Sequence, residues 1–311
     1  MDEPTQTEAS TWHLPTVSEI FKSLLLQQML LEPPSPPPPA TIFHYTSAAG
    51  FHNILSEKTL LLTHSAYLND QGETSYPVLQ ALEIVRDMRA KDLDKAHAMF
   101  WQFAEVLCHS HSFAGNWYVG SFSINGNQLS QWRAYTPNGG YSIGFRAASL
   151  VSQFPGFVRP VIYDKETQAD GLRRFFEGML NSWKAGLIGS TDNQADQFNH
   201  VFFRAASEVV TQMLIFWKSP AFIEEAEWRL AFQAWAPKVS FRLNGDQLTP
   251  SLRQHLPTVG DVVPLVPLNE VFVSPLGDPF LAQQAAAMFT ASLGYPIGLV
   301  KPADIALRAR R

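Results

Sequence analysis

Cysteine is nearly absent from this chain of 311 residues, Cys108 being the only one. No internal disulfide can form, which excludes a disulfide scaffold and suits a reducing compartment. Cys108 sits in an apolar helical stretch, FAEVLCHSH, beside His109 and His111. Two roles stay open for it: a catalytic thiol, or the small core residue that a free cysteine usually is. Apolar runs long enough to cross a bilayer are also lacking, so no membrane span is expected. The opening MDEPTQTEASTW is acidic and polar and lacks the positive segment of a secretory signal. The expected location is cytoplasmic, with delivery into a target cell by a specialised secretion machine left open. Basic runs are missing before Arg308, Arg310 and Arg311, and the net charge is −5. Wholesale electrostatic binding of duplex nucleic acid is therefore not advertised, although a local basic cleft stays open. There is no G-x-G-x-x-G, no P-loop and no H-E-x-x-H, so the common phosphate-binding and zinc-protease motifs are excluded, and no metal is expected.

What is present is the apolar and aromatic content of a globular protein, eight tryptophans included. The length allows one large domain or two smaller ones. Residues 1–40 stand apart. A helix is expected over 16–31, with Val17, Ile20, Phe21, Leu24, Leu25 and Leu31 on its apolar face, followed by PPSPPPPA. A proline run of this kind is an extended spacer. The expected division is thus an N-terminal helix with a proline-rich linker (1–40) and a single α+β domain (41–311). The helix packs back on the main body, binds a partner or serves targeting.

From residue 41 the pattern is mixed. TIFHYT reads as a strand, Ser47 caps a helix through Leu55, and 60–63 is a second strand. Residues 66–73 form a polar loop, 76–111 are helical with a break near Asp92, and 116–124 form an aromatic strand. A helical turn at 129–135 and the turn signal Asn138-Gly139-Gly140 lead into the strand YSIGFR. Further strands are expected at 158–163, 228–235, 239–243, 271–274 and 297–300, with helices over 166–217 and 280–293. Strands in two clusters without regular βαβ alternation argue against a doubly wound sheet.

The most informative stretch is FWKSPAFIEEAEWRLAFQ, residues 216–233. Trp228, Leu230 and Phe232 alternate with Arg229, Ala231 and Gln233, the period of a half-buried strand. Glu227 stands where loop becomes strand. In an extended backbone Glu225 would project to the same face, and two carboxylates held together repel and can raise a pKa. The plain alternative is a solvated acidic loop whose glutamates pair with Arg229 or Lys218. Two further segments put polar residues on apolar strands: His44-Tyr45-Thr46 and Ser121-Phe122-Ser123. Each taken alone fits an ordinary structural histidine or an ordinary strand.

The order HYT, LND with a following Glu, SFS, QWRAY–NGGYSIGF, a lone V-x-Y, then FWKSPAFIEEAEWRL resembles a widespread bacterial family of uncharacterised proteins. That family resembles the ADP-ribosyltransferase superfamily in its expected fold, and the similarity runs over about residues 41–274. The resemblance implies split mixed and antiparallel β-sheets with surrounding helices, with NAD as substrate. His44 takes the first-strand position, Ser121 and Ser123 the Ser-x-Ser position, and Glu227 the catalytic one, with Glu225 completing a Glu-x-Glu pair. Tyr45, Thr46, Tyr67 and Phe122 would line the slot, Tyr45 or Tyr67 stacking on the nicotinamide. Arg133 and Arg242 are phosphate clamps or surface arginines. Trp132, Tyr135, Tyr141 and Trp228 are expected in the core. A first-position His belongs to the poly-ADP-ribosylating type, whereas Ser-x-Ser and Glu-x-Glu belong to the toxin type, so the acceptor stays open. Asn69, Asp70 and Glu73 match the pattern without an assigned role.

These residue types suit cleavage of the nicotinamide–ribose bond, which passes through an oxocarbenium-like state. A carboxylate on the ribose 2′-hydroxyl tightens its hold as positive charge develops. Glu225 could take a proton from the acceptor nucleophile. The leading expectation is an ADP-ribosyltransferase acting on a protein or nucleic acid as a toxin, effector or defence enzyme. An NAD glycohydrolase and a non-catalytic module binding an NAD derivative or a protein partner are the alternatives.

Overall fold

The computed structural model describes residues 14–31, 36–68, 72–109, 116–234, 238–244 and 247–305. Asn69, Asp70, His111 and the arginines at the end of the chain lie outside them, and of Glu73 only the backbone is described. The chain divides into two compact units. This division does not follow the composition boundary at residue 40, because the first helix groups with helices from much later in the sequence.

The first unit comprises Met1–Pro33, Val78–Ser110 and Lys165–Leu214. Its described elements are α1 (Val17–Leu31), the greater part of α3 (Gly72–Lys91), α4 (Ala98–His109), α7 (Lys165–Leu187) and α8 (Asp192–Leu214). α1 packs on α7 and α8, burying Ile20 and Leu24. Aromatics fill the centre: Phe100 contacts Trp183 and Phe203, and Trp183 Nε1 donates to Asn199 Oδ1 at 2.7 Å. The single helical stretch expected over 166–217 is two helices parted at Gly189, whose φ is 76°, and it ends at Leu214. Cys108 is buried. Burial, with Glu105 nearby, pushes its thiol up to about 12, so it is a core residue and not an activated nucleophile.

The second unit, Pro34–Pro77, His111–Asp164 and Ile215–Arg311, is built on a ten-stranded mixed sheet. Its strands are β1 (Thr41–Thr46), β2 (Thr59–His64), β3 (Trp117–Ser123), β4 (Tyr141–Arg146), β5 (Val158–Pro160), β6 (Glu227–Gln233), β7 (Val239–Asn244), β8 (Gln247–His255), β9 (Leu268–Val273) and β10 (Val300–Pro302). The order is β10-β9-β4-β1-β3-β2-β8-β7, with β6 also on β3 and β5 on β6. β10 runs parallel to β9. α2 (Ala48–Glu57), α5 (Leu129–Tyr135), α6 (Ala147–Gln153) and α9 (Pro279–Ser292) connect or cover it. As expected, Ser47 caps α2, its Oγ accepting from Gly50 N at 3.2 Å.

β3 positions everything that follows. β6 pairs along its whole length, from Trp117↔Gln233 to Ser123↔Glu227. On the other edge β1 touches only at Phe43↔Ser123, and β2 only at Thr63↔Val119 and His64↔Tyr118. β1 and β2 therefore part alongside Gly120, Ser121 and Phe122. The sheets expected to be separate are joined through β3 and split only on this edge. Period-two alternation sends Tyr118, Phe122, Trp228 and Leu230 into the main core. On the opposite face Trp117, Val119 and Ala231 pack with Ile215 and Phe216. Ser121, Ser123, Arg229 and Glu227 continue that second face where its apolar cover stops.

The loop after β3 is held against β1. A Cβ on Gly126 would fall into the Phe43 ring, which cannot move while Trp132 and Tyr45 pack beside it. Gly126→Ala is expected to cost about 1–3 kcal/mol by overpacking, measured by urea denaturation against wild type.

Candidate active site

Glu227 opens β6 and is 4% exposed. Its Oε1 accepts from Arg229 Nε at 2.9 Å, and Oε2 from Arg229 Nη2 at 3.1 Å. Oε2 also accepts from Lys218 Nζ at 3.2 Å. Lys218 gives a shorter bond, 2.6 Å, to Glu225 Oε2. Arg229 is itself anchored, its Nη1 donating to Ile215 O at 2.6 Å. Among the described residues, two carboxylates and two cations thus join in one quartet, buried except at the partly exposed Glu225.

The quartet corrects two expectations. Glu225 does not share an extended strand with Glu227. It ends a 3₁₀ turn, Pro220–Glu225, and Ala226 between them takes the left-handed conformation at φ 44°. Nor is the pKa of Glu227 raised. Burial pushes Glu227 up, but the charges of Arg229 and Lys218, with the Arg229 hydrogen bonds and the nearby Ser121 hydroxyl, outweigh it and hold the group at about 2. Pairing with Arg229 and Lys218 was the plain alternative, yet the pairs are buried and not solvated.

The sign of the pH dependence follows. Glu227 has its folded pKa below the ordinary 4.5, so the unfolded chain binds the extra proton. The stabilisation is complete above about pH 5 and is lost as pH falls through 4.5 towards 2. The stability difference between wild type and Glu227→Gln should therefore narrow over that window in acid-titrated urea melts.

Lys218 is 2% exposed and is fixed through its backbone, Lys218 N donating to Ile162 O at 3.2 Å. Its ammonium lies 5.0 Å from the centre of the Phe222 ring. Tyr163 Oη accepts from Glu227 N at 3.0 Å, which fixes the start of β6. Burial first, then the Glu227 charge, raises the Tyr163 pKa, so its phenol stays protonated. The strand expected over 158–163 stops at Pro160, and an isolated parallel pairing of Ile162 with Trp217 carries the chain past Lys218.

His44 occupies the split edge. Its Nδ1 lies 2.9 Å from Ser121 O, and a carbonyl can only accept, so Nδ1 carries the proton. Burial lowers the pKa of His44, with the Ser121 bond opposing and the Arg242 charge assisting. The ring is then neutral at pH 7 and keeps the Nε2 lone pair. Ser123 Oγ donates to Glu225 O at 2.7 Å and accepts from Asn125 N at 3.0 Å, so Ser123 ties the turn to the strand.

A cavity of about 410 Å³ opens over this split, within the usual range of ligand sites. His44, Thr46, Tyr67, Ser121, Phe122, Ser123, Glu225 and Glu227 all line it. Tyr67 is 39% exposed and offers a ring face. Tyr45 also borders the cavity, but its ring packs edge-on to Trp132 at 4.8 Å. Its hydroxyl donates to Asn125 O at 2.7 Å and accepts from Gln128 N at 3.0 Å. Tyr45 is a loop anchor and not a stacking platform. Arg133 is exposed on α5 and does not line the cavity; Gln131 and Tyr135 do. Phe122 packs into the core at 5.8 Å from Phe145, with the His44 ring at 5.7 Å. Trp132, Tyr141 and Trp228 are buried, as expected. Sequence reasoning missed Tyr163 and Gln131 and took Lys218 only as a solvated partner of the glutamates.

Residues 131–230 match a family model described as "Protein of unknown function (DUF2971)". The matched third of the chain holds Tyr163, Lys218, Glu225, Glu227 and Arg229, whereas His44, Ser121 and Ser123 lie before it. No curated protein and no solved structure matches the chain. Among the described residues, no helix is long and apolar enough to cross a membrane.

Proposed function

We propose that this cavity binds NAD and that the protein transfers ADP-ribose to a macromolecular acceptor, a protein or a nucleic acid. The observation that carries the reading is the convergence of His44, Ser121 and Glu227 on one cavity at the parting of β1 and β2. That parting also supports the ADP-ribosyltransferase-like arrangement expected from the resemblance.

The residues suit the ligand. Neutral His44 presents Nε2 as an acceptor, and ionised Glu227 presents Oε2, so both fit ribose hydroxyls. Tyr67 offers its ring to nicotinamide. Glu227 is held ionised before substrate arrives, which is the preorganisation that stabilises developing positive charge at low reorganisation cost. Lys218 stands 0.6 Å nearer Glu225 than Glu227 (2.6 against 3.2 Å). A ribose hydroxyl can take the Oε2 position while Lys218 withdraws onto Glu225. A role as a toxin, effector or defence enzyme is part of the proposal through the resemblance and draws on no feature of the fold.

One observation favours a second reading, a binding module without chemistry. Glu227 already accepts from Arg229 twice and from Lys218, three of the roughly four sites of a carboxylate. If Lys218 does not withdraw, no hydroxyl reaches Oε2.

Incubation of the purified protein with labelled NAD and a cell lysate separates these readings. Nicotinamide release with label in a protein, RNA or DNA fraction supports the transferase and names the acceptor class. Release without label means hydrolysis. NAD binding without release means the module, and no binding removes the proposal.

A further inference from the structure

Among the described residues, two carboxyl side chains and one guanidinium line the cavity: Glu225, Glu227 and Arg242. Both glutamates are neutralised by the buried Lys218 and Arg229. Arg242 is not: among the described residues its one polar partner is Thr63, whose Oγ1 accepts from Nη2 at 2.8 Å, and no carboxylate pairs with it. Arg242 is solvent-exposed on its strand, and a guanidinium that borders a cavity with no carboxylate partner is open to an anion.

The surroundings fit that demand. Thr63 Oγ1 accepts from Arg242 and keeps its hydroxyl proton to donate. Thr46 and Ser47 add hydroxyls to the same lining. The ladder fixes the pair, since Arg242 faces Thr249 across β7 and β8, while Thr63 faces Ser251 across β2 and β8. Arg242 is close enough to His44 for its charge to depress the histidine's pKa. The cavity is therefore bipolar, with a neutralised acidic floor at β6 and a bare cation on β7.

We propose that Arg242 and Thr63 form a phosphate-binding subsite that selects a ligand carrying a pyrophosphate. This deepens the reading above and rests on it only for the identity of the nucleotide.

The test is calorimetric titration of the full chain with inorganic pyrophosphate, NAD and nicotinamide riboside, for wild type, Arg242→Gln and Arg242→Lys, with melting temperatures measured in parallel. Wild type should bind pyrophosphate and NAD, Arg242→Gln should lose about 10- to 100-fold on both, and Arg242→Lys should recover part, as a point charge without the planar fork. Nicotinamide riboside should bind all three alike, with unchanged melting temperatures. Wild type that fails to bind pyrophosphate overturns the subsite, as does Arg242→Gln binding it undiminished. An equal loss for nicotinamide riboside also overturns it, because the loss is then a general distortion. Pyrophosphate binding that needs Arg242, with NAD not bound, upholds the subsite and removes NAD as its ligand.

Discussion

Glu227→Gln is expected to lower nicotinamide release by about 10²–10³ or more, with NAD affinity changed only a few-fold. The substitution keeps the shape and one acceptor oxygen for Arg229 but removes the charge that opposes the developing cation. A loss in turnover without a matching loss in binding marks an interaction made only in the transition state. The amide also presents N–H groups to Lys218 or Arg229 inside a buried site, so some stability will be lost, and rates should be compared well below the melting temperature. Ser121→Ala is the gentler control. It removes a hydroxyl that helps hold Glu227 ionised and should cost less than Glu227→Gln in the same steady-state assay. A Glu227→Gln protein that releases nicotinamide at the wild-type rate removes Glu227 from the chemistry.

Lys218→Met should be the most destabilising single change at the site, by about 3–5 kcal/mol. The methionine fills the space, but the ammonium that joins Glu225 and Glu227 is gone, and Glu225 loses its 2.6 Å partner. Removing one partner of a buried pair costs more than removing both. Lys218→Met combined with Glu225→Gln should therefore be more stable than Lys218→Met alone, a coupling that a double-mutant cycle in urea reads directly. Lys218→Met within 1 kcal/mol of wild type, taken as about the worth of a surface pair, would mean that the quartet is solvated.

Much of the site's framework is legible from local pattern. TIFHYT, NWYVGSFSI and EWRLAFQ show the strand period, and each became a strand carrying His44, Ser121 or Glu227. The rest depends on contacts between distant segments. Lys218 reads as an ordinary surface lysine next to a proline turn. It becomes buried only because Pro220–Glu225 folds the chain back and Ile162 pairs with Trp217. Tyr45 reads as an available aromatic, since nothing in its neighbourhood announces that the 125–128 loop will cross its hydroxyl. β8 is concealed by Pro250, which argues against a central strand. It is tolerated one residue beyond the last β2 pair, Thr63↔Ser251. Arg133 and Arg242 look alike in sequence, and only their places in the fold, on an exposed helix face and on a strand bordering the cavity, tell them apart.

A crystal structure with a non-cleavable NAD analogue tests the central claim most directly. The nicotinamide ribose is expected on Glu227 Oε2 with Lys218 drawn onto Glu225, a second contact from His44 Nε2, and the nicotinamide ring against Tyr67. An analogue bound away from Glu227, or a carboxylate still held by both Arg229 and Lys218 beneath the bound ligand, would contradict it.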